Sequence, residues 1–150
     1  MVTMTYHSPI GPLYIAEQDG AITHLVFRAI AGQAGETALL TQCREQLDAY
    51  FAGERQNFDL PLAPKGTQFQ LRVWQTLCTI PYGTTWSYKM LAEAADCPRG
   101  YRAVGLANNK NPISILIPCH RVVGASGALT GYGGGLSNKE FLLKLEGHTP

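Results

Sequence analysis

Three consecutive side chains, Cys119, His120 and Arg121, could support nucleophilic chemistry. A cysteine reacts as its thiolate, and a nearby histidine or arginine lowers the thiol pKa below its free value of ~8.5. Neighbouring residues of an extended strand point to opposite faces, so a thiol–imidazole relay needs a bend or a bridging water. The alternative is a buried apolar cysteine beside a surface histidine, and the triplet alone is compatible with both.

Glu146 is a candidate partner for this triplet. It falls in the last turn of a predicted helix, where the helix dipole disfavours a carboxylate by ~0.3–1 kcal/mol. A residue that violates a local preference without local gain is a candidate for function. Its carboxylate could accept a hydrogen bond from one imidazole nitrogen and complete a Cys119–His120–Glu146 relay. The alternative is an ordinary solvent-exposed glutamate at a helix end.

Two further segments are suited to close approach by a ligand. The stretch Gly131–Gly135 contains four glycines, which let the backbone come near a ligand, and no Gly-Lys-Ser/Thr follows as in a phosphate loop. A flexible surface loop is the alternative. In Arg99–Ala107 basic residues alternate with very small ones, so Arg102 is the long side chain that projects. Tight helix packing explains the small residues equally well.

Residues 1–64 are predicted to form a small antiparallel sheet and one helix. The β-prone runs, separated by turn-forming segments, are 2–7, 12–17 and 21–27. An amphipathic helix follows, and Gly53 ends it. Its apolar stripe consists of Leu39, Cys43, Leu47, Tyr50 and Phe51. The segment 59–66, with two prolines and a glycine, is the predicted domain linker.

Residues 65–150 are predicted to form a helical domain. Thr67 opens the first helix with a capping box. Ser87 caps a second helix and Pro98 starts a third, and the pair fits a helix-turn-helix. The predicted fold class is α/β of the α+β type, with a small N-terminal antiparallel sheet and helix. A helical, winged-helix-like domain with the helix-turn-helix follows it.

The end of the chain is predicted to contain one strand and one helix. The apolar run 113–117 ends at Pro118 and indicates a buried extended strand. The last helix is predicted from Ser137, which begins a second capping box, and Gly147 is suited to its C-terminal end.

Composition excludes several classes of protein. The chain has 150 residues, of which 45% are hydrophobic and 15% charged, so it is not intrinsically disordered. Its apolar runs are far shorter than the ~20 residues of a membrane span, and we expect no membrane association. The net charge is −4 over residues 1–64 and +5 over 65–150, which hints at a polyanion partner for the second part. The alternative is that the two parts differ in net charge by chance.

Several short motifs lie between residues 67 and 147. They are Pro81-Tyr82-Gly83, Ser87-Tyr88, Arg102-Ala103-Val104-Gly105, Asn111-Pro112, the run Ile117 to Val123, Tyr132-Gly133-Gly134-Gly135-Leu136, and Leu142 to Gly147. In order and spacing this set resembles the O6-alkylguanine-DNA alkyltransferases, also called methylated-DNA–protein-cysteine methyltransferases. The resemblance is weaker over residues 1–64.

The resemblance implies DNA repair by direct damage reversal, in which the protein is consumed. Cys119 would attack the alkyl carbon on the guanine 6-oxygen, and O4-alkylthymine is a second candidate substrate. His120, acting through a water and backed by Glu146, would take the thiol proton. Tyr88 would donate a proton towards the leaving guanine, and Asn111 would hold the active-site turn.

The resemblance also implies contacts with double-stranded DNA. The helix that carries Arg102 and Ala103 would enter the minor groove, with Arg102 filling the gap left by the flipped alkylated base. Arg121 and Tyr88 are further expected DNA contacts. The residues expected to contact the guanine are Cys119, Val122, Tyr132 and Gly133.

No cofactor is implied, and His7, His24 and Cys43 give no recognisable zinc set, so we expect no metal. We also expect a monomer with no obligate protein partner, free thiols and a cytoplasmic location. The main alternative is a non-catalytic helix-turn-helix DNA-binding or lesion-sensing protein. A thiol redox protein would instead require a resolving cysteine, and Cys97 is the nearest one in sequence.

Overall fold

A four-stranded sheet forms the first part of the computed structural model, which describes residues 1–148. Strands β1 (Val2–Ser8), β2 (Gly11–Gln18) and β3 (Ala21–Val26) form an antiparallel meander. The three predicted strands are thus confirmed to within one residue at each end. Strand β4 (Gln33–Ala34) pairs in parallel with the start of β1. It was not predicted, because two residues are too few to show an alternating pattern.

Helix α1 (Ala38–Phe51) packs against this sheet through its apolar stripe. Leu40 is buried, whereas the predicted Leu39 is only half-buried. The predicted stripe residues that are fully buried are Cys43, Leu47 and Tyr50. The helical period was therefore predicted correctly, and the inward face is rotated slightly at its start.

Helix α2 (Gln68–Leu77) begins with the predicted capping box. The Thr67 hydroxyl accepts a hydrogen bond from the Gln70 backbone amide at 3.0 Å. The Gln70 side-chain oxygen accepts one from the Thr67 amide, also at 3.0 Å. Two amides at the start of the helix are thereby satisfied, and α2 buries Val73 and Trp74 on its inner face.

Replacing Thr67 with alanine is expected to lower the free energy of unfolding by about 0.5–2 kcal/mol, because one capping bond is lost. Urea denaturation measures the change. Gln75→Ala, on the exposed face of the same helix, is the matched control and should change it by less than about 0.5 kcal/mol. Equal effects of the two substitutions would contradict a capping role.

Two short helices, α3 (Tyr88–Ala94) and α4 (Tyr101–Asn109), form the predicted helix-turn-helix. The Ser87 hydroxyl accepts from the Met90 amide at 3.2 Å, as expected for its cap position. Helix α4 starts three residues later than predicted. Pro98 lies instead in a turn that is closed by a 2.8 Å bond from the Gly100 amide to the Cys97 carbonyl.

The apolar run 113–117 is buried but is not an extended strand, so that prediction is wrong. Ile115 has a φ of +71°, and the Ile117 amide donates to the Ile113 carbonyl at 3.0 Å. Asn111 satisfies further backbone groups, since it accepts from the Ile113 amide at 3.0 Å and donates to the Ile117 carbonyl at 2.9 Å. Burial of this segment explains its apolar composition, which therefore does not require that the segment be part of a β-sheet.

Two two-residue strands, β5 (Trp86–Ser87) and β6 (Val122–Val123), pair in parallel, and α5 (Leu136–Leu145) closes the described chain. The predicted capping box at Ser137 is wrong, because α5 already begins at Leu136. Gly135, with a φ of +93°, is its N-cap residue. Gly147 has a φ of +86° and lies just past the end of α5, as predicted.

One buried core runs through both halves of the chain. Leu25 in β3 donates to the Pro112 carbonyl at 2.9 Å and accepts from the Ser114 amide at 3.0 Å. The sheet therefore bonds directly to the segment that precedes Cys119.

The mixed α/β fold class is confirmed. The division into domains 1–64 and 65–150 stays a prediction, and its last residues, Thr149 and Pro150, lie outside the described residues. Among the described helices, none is both long enough and apolar enough to cross a membrane.

Candidate active site

A single turn of 3-10 helix carries the three chemical residues Cys119, His120 and Arg121. The Arg121 amide donates to the Pro118 carbonyl at 3.1 Å and closes this turn. Successive side chains are therefore rotated by about a third of a turn, instead of pointing to opposite faces as in a strand. The structure thus supplies the bend that a relay requires. All three side chains are buried, including the histidine that could have been at the surface.

Cys119 lies at a small cavity of about 20 Å³. The thiol residue itself is only 5% exposed. The other residues that line the cavity are Asn108, Asn109, Asn111, Ser114, Gly131, Tyr132 and Gly133. A cavity of this size has room for about one water-sized group. Three predicted site residues, Asn111, Tyr132 and Gly133, are therefore brought to the thiol.

Burial raises the pKa of the Cys119 thiol above its ordinary value. Hydrogen bonds from the Asn111 and Ser114 side chains act in the opposite direction, as does the positive charge of Lys139. The net shift is upward, so the resting thiol keeps its proton. A nucleophilic reaction at this sulfur therefore needs a base that removes the proton during the reaction.

His120 and Glu146 form a buried pair. The distance between His120 Nε2 and Glu146 Oε2 is 2.7 Å, and the two residues are 0% and 4% exposed. Burial lowers the pKa of His120, although the hydrogen bond to Glu146 acts against this shift. The imidazole is thus neutral at neutral pH. Its Nδ1 is buried and has no hydrogen-bond partner among the described residues, so this nitrogen is available to accept a proton.

Arg121 is placed differently from the prediction. The sequence-based expectation that Arg121 contacts DNA is corrected here. Its side chain is 6% exposed and points into the protein, so it is not available at the surface. Its Nε donates to Glu146 Oε1 at 2.7 Å, and its Nη1 donates to the Ile80 carbonyl at 2.7 Å. A buried guanidinium needs such partners, and the carboxylate of Glu146 supplies the charge that balances it.

Glu146 remains ionised despite its burial. Burial by itself raises the pKa of this carboxyl group, but hydrogen bonds from His120 and Arg121, with the positive charge of the guanidinium and of the imidazole once acid protonates it, lower it to about 2. The carboxylate therefore keeps its negative charge at neutral pH and orients the imidazole beside it.

Sequence reasoning missed a third donor to this carboxylate. Tyr50 of α1 donates its hydroxyl to Glu146 Oε2 at 2.6 Å, and Tyr50 is completely buried. The two residues are 96 positions apart in the sequence. The only available signal was the place of Tyr50 on the buried stripe of α1, which predicts burial and gives no partner.

Lys139 is a second residue that the sequence did not identify. It is completely buried in α5, and its Nζ donates to the Val122 carbonyl at 2.6 Å and the Thr130 carbonyl at 2.8 Å. Burial lowers its pKa to about 8. The Val122 carbonyl, expected to contact guanine, is thus already bonded once, and a carbonyl oxygen can accept a second hydrogen bond.

The helix-turn-helix carries three further predicted site residues, and none of them lines the thiol cavity. Tyr88, the first residue of α3, is hydrogen-bonded to the Thr130 hydroxyl at 2.7 Å. Its ring lies against Gly105 of α4. Arg102 and Ala103 are exposed on α4, where they are free to contact a partner.

All four cysteines are free thiols. Within residues 1–148, no group of three or more His, Cys, Asp or Glu side chains could hold a metal ion. The expectations of no metal and no cofactor stay predictions.

Family models match almost the whole chain. The model described as the 6-O-methylguanine DNA methyltransferase DNA binding domain matches residues 68–148. The model described as the ribonuclease-like domain of the same family matches residues 1–64. The N-terminal half, where the resemblance read from sequence was weak, thus belongs to the same family.

Curated relatives and a solved structure agree with these matches. The methylated-DNA–protein-cysteine methyltransferase of Methanosarcina barkeri is 51% identical, covering 93% of this chain and 92% of its own. The relative of that name from Mycobacterium leprae is also 51% identical, over 94% and 89% of the two chains. The crystal structure of Mycobacterium tuberculosis OGT in complex with DNA matches with a TM-score of 0.91 and 46% identity, over 100% and 96%. This chain therefore belongs to the 6-O-methylguanine DNA methyltransferase family.

Proposed function

We propose that this chain repairs DNA by moving the alkyl group of O6-alkylguanine to the sulfur of its own Cys119. The DNA methyltransferase class is that of its family and of its relatives at about 50% identity. One observation supports this acceptor above all others. A buried thiol lies at a cavity on the same turn as a histidine whose Nε2 is 2.7 Å from a buried carboxylate.

The relay supplies the nucleophile. The thiol proton passes from Cys119, through a water, to Nδ1 of His120, while Nε2 stays bonded to Glu146. The resulting imidazolium is stabilised by the carboxylate, which donors from Arg121 and Tyr50 hold in place. The thiolate thus exists only beside its counter-ion, as its burial requires.

Alkyl transfer then forms one bond and breaks another. The sulfur attacks the alkyl carbon, the S–C bond forms, and the bond from that carbon to the guanine 6-oxygen breaks with its electron pair left on guanine. Tyr88 donates a proton to the departing base, so that a neutral guanine leaves. The tyrosinate then takes a proton from solvent, and His120 releases to solvent the proton that it took from the thiol. A thioether does not hydrolyse readily, and each protein molecule therefore reacts once.

The guanine ring is expected at the glycine-rich loop. Tyr132 and Gly133 lie at the cavity, and Gly133 has open space around the position of a side chain. Its amide would donate to the guanine 6-oxygen, and the carbonyls of Cys119 and Val122 would accept from the guanine amino group. Asn111 keeps the turn before Cys119 in shape through its two backbone contacts.

DNA binds through the helix-turn-helix. We place α4 in the minor groove, where Ala103 allows close approach and Arg102 occupies the space of the flipped base. We also propose that the protein acts as a monomer in the cytoplasm, because a site built from one chain needs no second subunit and reducing conditions keep the thiol free.

The test is stoichiometry and position of the transferred group. After incubation with a duplex that contains O6-methylguanine, intact mass should rise by one methyl per protein molecule, and peptide mapping should place it on Cys119. A methyl on another residue would contradict this acceptor. Binding of the methylated duplex without transfer would favour the lesion-sensing alternative.

Arg102→Ala is expected to slow transfer from duplex DNA about 10- to 100-fold, because base extrusion costs a few kcal/mol and Arg102 would offset part of it. Single-turnover rates on the methylated duplex measure the effect. Transfer from free O6-methylguanine base, which needs no extrusion, should be unchanged. Arg99→Ala, also exposed before α4, is the control and should cost much less. Equal losses on duplex and free base would contradict the assigned role.

A further inference from the structure

Glu146 Oε2 accepts hydrogen bonds from three donors, which come from both halves of the chain. His120 Nε2 lies at 2.7 Å and the Tyr50 hydroxyl at 2.6 Å from the same oxygen. Arg121 Nη2 approaches it at 3.2 Å. The first and third of these groups come from the turn that carries Cys119, whereas Tyr50 belongs to α1 of the N-terminal half.

We propose that Tyr50 is a positioning residue for alkyl transfer: its hydroxyl holds the Glu146 carboxylate against His120 and tunes the basicity of the imidazole. The proposal rests on the function proposed above. It gives the N-terminal half, which contributes no residue to the thiol cavity, a part in the reaction that acts through Glu146.

The Tyr50 hydroxyl cannot move away from the carboxylate. The residue is completely buried, and three aromatic rings surround it: Phe51, Phe58 and Tyr82, with centroid distances of 5.3, 5.2 and 6.5 Å. Burial and the adjacent negative charge of Glu146 raise the pKa of Tyr50 far above its ordinary value. Tyr50 therefore stays protonated and can only donate to this oxygen.

A donor at this oxygen weakens the attraction between Glu146 and the imidazolium of His120. Oε2 divides its electron density among three hydrogen bonds, so the carboxylate stabilises the proton on His120 less than it would without the Tyr50 donor. Other groups act on the same pair. They are Arg121 on the 3-10 turn and Lys139 of α5. The hydroxyls of Tyr82 and Tyr132 also face this carboxylate, whose charge raises their pKa values.

The direction in which the pKa of His120 changes on removal of the Tyr50 hydroxyl follows from this competition. Without it, Glu146 binds the imidazolium more strongly and the pKa of His120 rises. His120 must be neutral to accept the thiol proton, so the transfer rate increases with pH through the pKa of His120. The acid limb of the pH–rate profile should therefore move to higher pH in Tyr50→Phe, by ~0.5–1 pH unit for one typical hydrogen bond.

The matched control is Tyr6→Phe. Tyr6 also donates to a carboxylate at 2.6 Å, but its partner is Asp48 of α1 and not the relay. Both substitutions remove one tyrosine hydroxyl from the N-terminal half, so both should lower thermal stability. Only Tyr50→Phe should shift the pH profile of methyl transfer. Identical profiles of Tyr50→Phe and wild type would overturn the proposal, as would an equal shift in Tyr6→Phe.

A second measurement tests the proposal even if Tyr50→Phe folds poorly. It does not depend on methyl transfer, so it tests the role of Tyr50 independently of the proposed function. Fluorinated tyrosine at position 50 keeps the shape but has a more acidic hydroxyl, which donates more strongly. The His120 pKa, read by NMR titration of the imidazole in the DNA-free protein, should then fall below that of wild type. An unchanged or raised pKa would refute the role of Tyr50. Failure of the wild-type protein to transfer methyl would instead refute the function.

Discussion

Replacing Cys119 with alanine abolishes methyl transfer and leaves binding to methylated duplex nearly unchanged; this is the largest effect that we expect from one substitution. The sulfur is the atom that forms the new bond, and no other group at the cavity is a comparable nucleophile. In the proposed complex the exposed face of α4 binds the DNA, and this face does not include Cys119. Radiolabelled methyl transfer and fluorescence anisotropy measure the two properties on the same preparation.

Cys97→Ala is the matched control for this experiment. Cys97 is a free thiol in the connection between α3 and α4, and its loss should leave transfer intact. If Cys97→Ala abolished transfer as well, a thiol redox mechanism that uses both cysteines would gain support. If Cys119→Ala kept full transfer, the assigned acceptor would be wrong.

Arg121→Ala should have the second-largest effect, a loss of about 3–5 kcal/mol in the free energy of unfolding. The guanidinium donates to both oxygens of the Glu146 carboxylate, and both side chains are almost fully buried. Its removal leaves a buried negative charge with too little compensation. Urea denaturation at pH 7 measures the loss.

The pH dependence of stability identifies the charge responsible. The pKa of Glu146 is lowered to about 2 in the folded protein, against ~4.3 in an unfolded chain. The contribution of the ionised Glu146 carboxylate to the free energy of unfolding is therefore fully present above pH ~4.3 and is lost as the pH falls towards 2. Glu146→Gln should flatten this part of the curve. Arg121→Ala combined with Glu146→Gln should cost less than the sum of the two single changes. Simple additivity would show that the pair does not interact energetically.

Local signals explain what could be predicted from the sequence. Thr67 and Ser87 cap their helices as expected, since a cap depends on residues three positions away. Glu146 was singled out because it lies at an unfavourable helix end, and it is indeed buried against His120. The chemical roles of these site residues stay predictions.

Predictions failed where distant contacts decide the conformation. The apolar run 113–117 has the composition of a strand, yet it packs as turns held by Asn111 and by Leu25 of β3. Arg121 was expected among the DNA contacts, and the position of Glu146, whose carboxylate pairs with its guanidinium, explains its burial. Tyr50 and Lys139 have partners that no sequence spacing reveals.

The bonds between Leu25 and the segment before Cys119 have a consequence for cooperativity. The sheet shares its core and backbone hydrogen bonds with the half of the chain that carries Cys119. The two parts should therefore unfold together and not at separate melting temperatures. Heating should therefore give one calorimetric transition with equal van't Hoff and calorimetric enthalpies. Limited proteolysis within the 59–66 segment should release a C-terminal fragment that exposes hydrocarbon and aggregates.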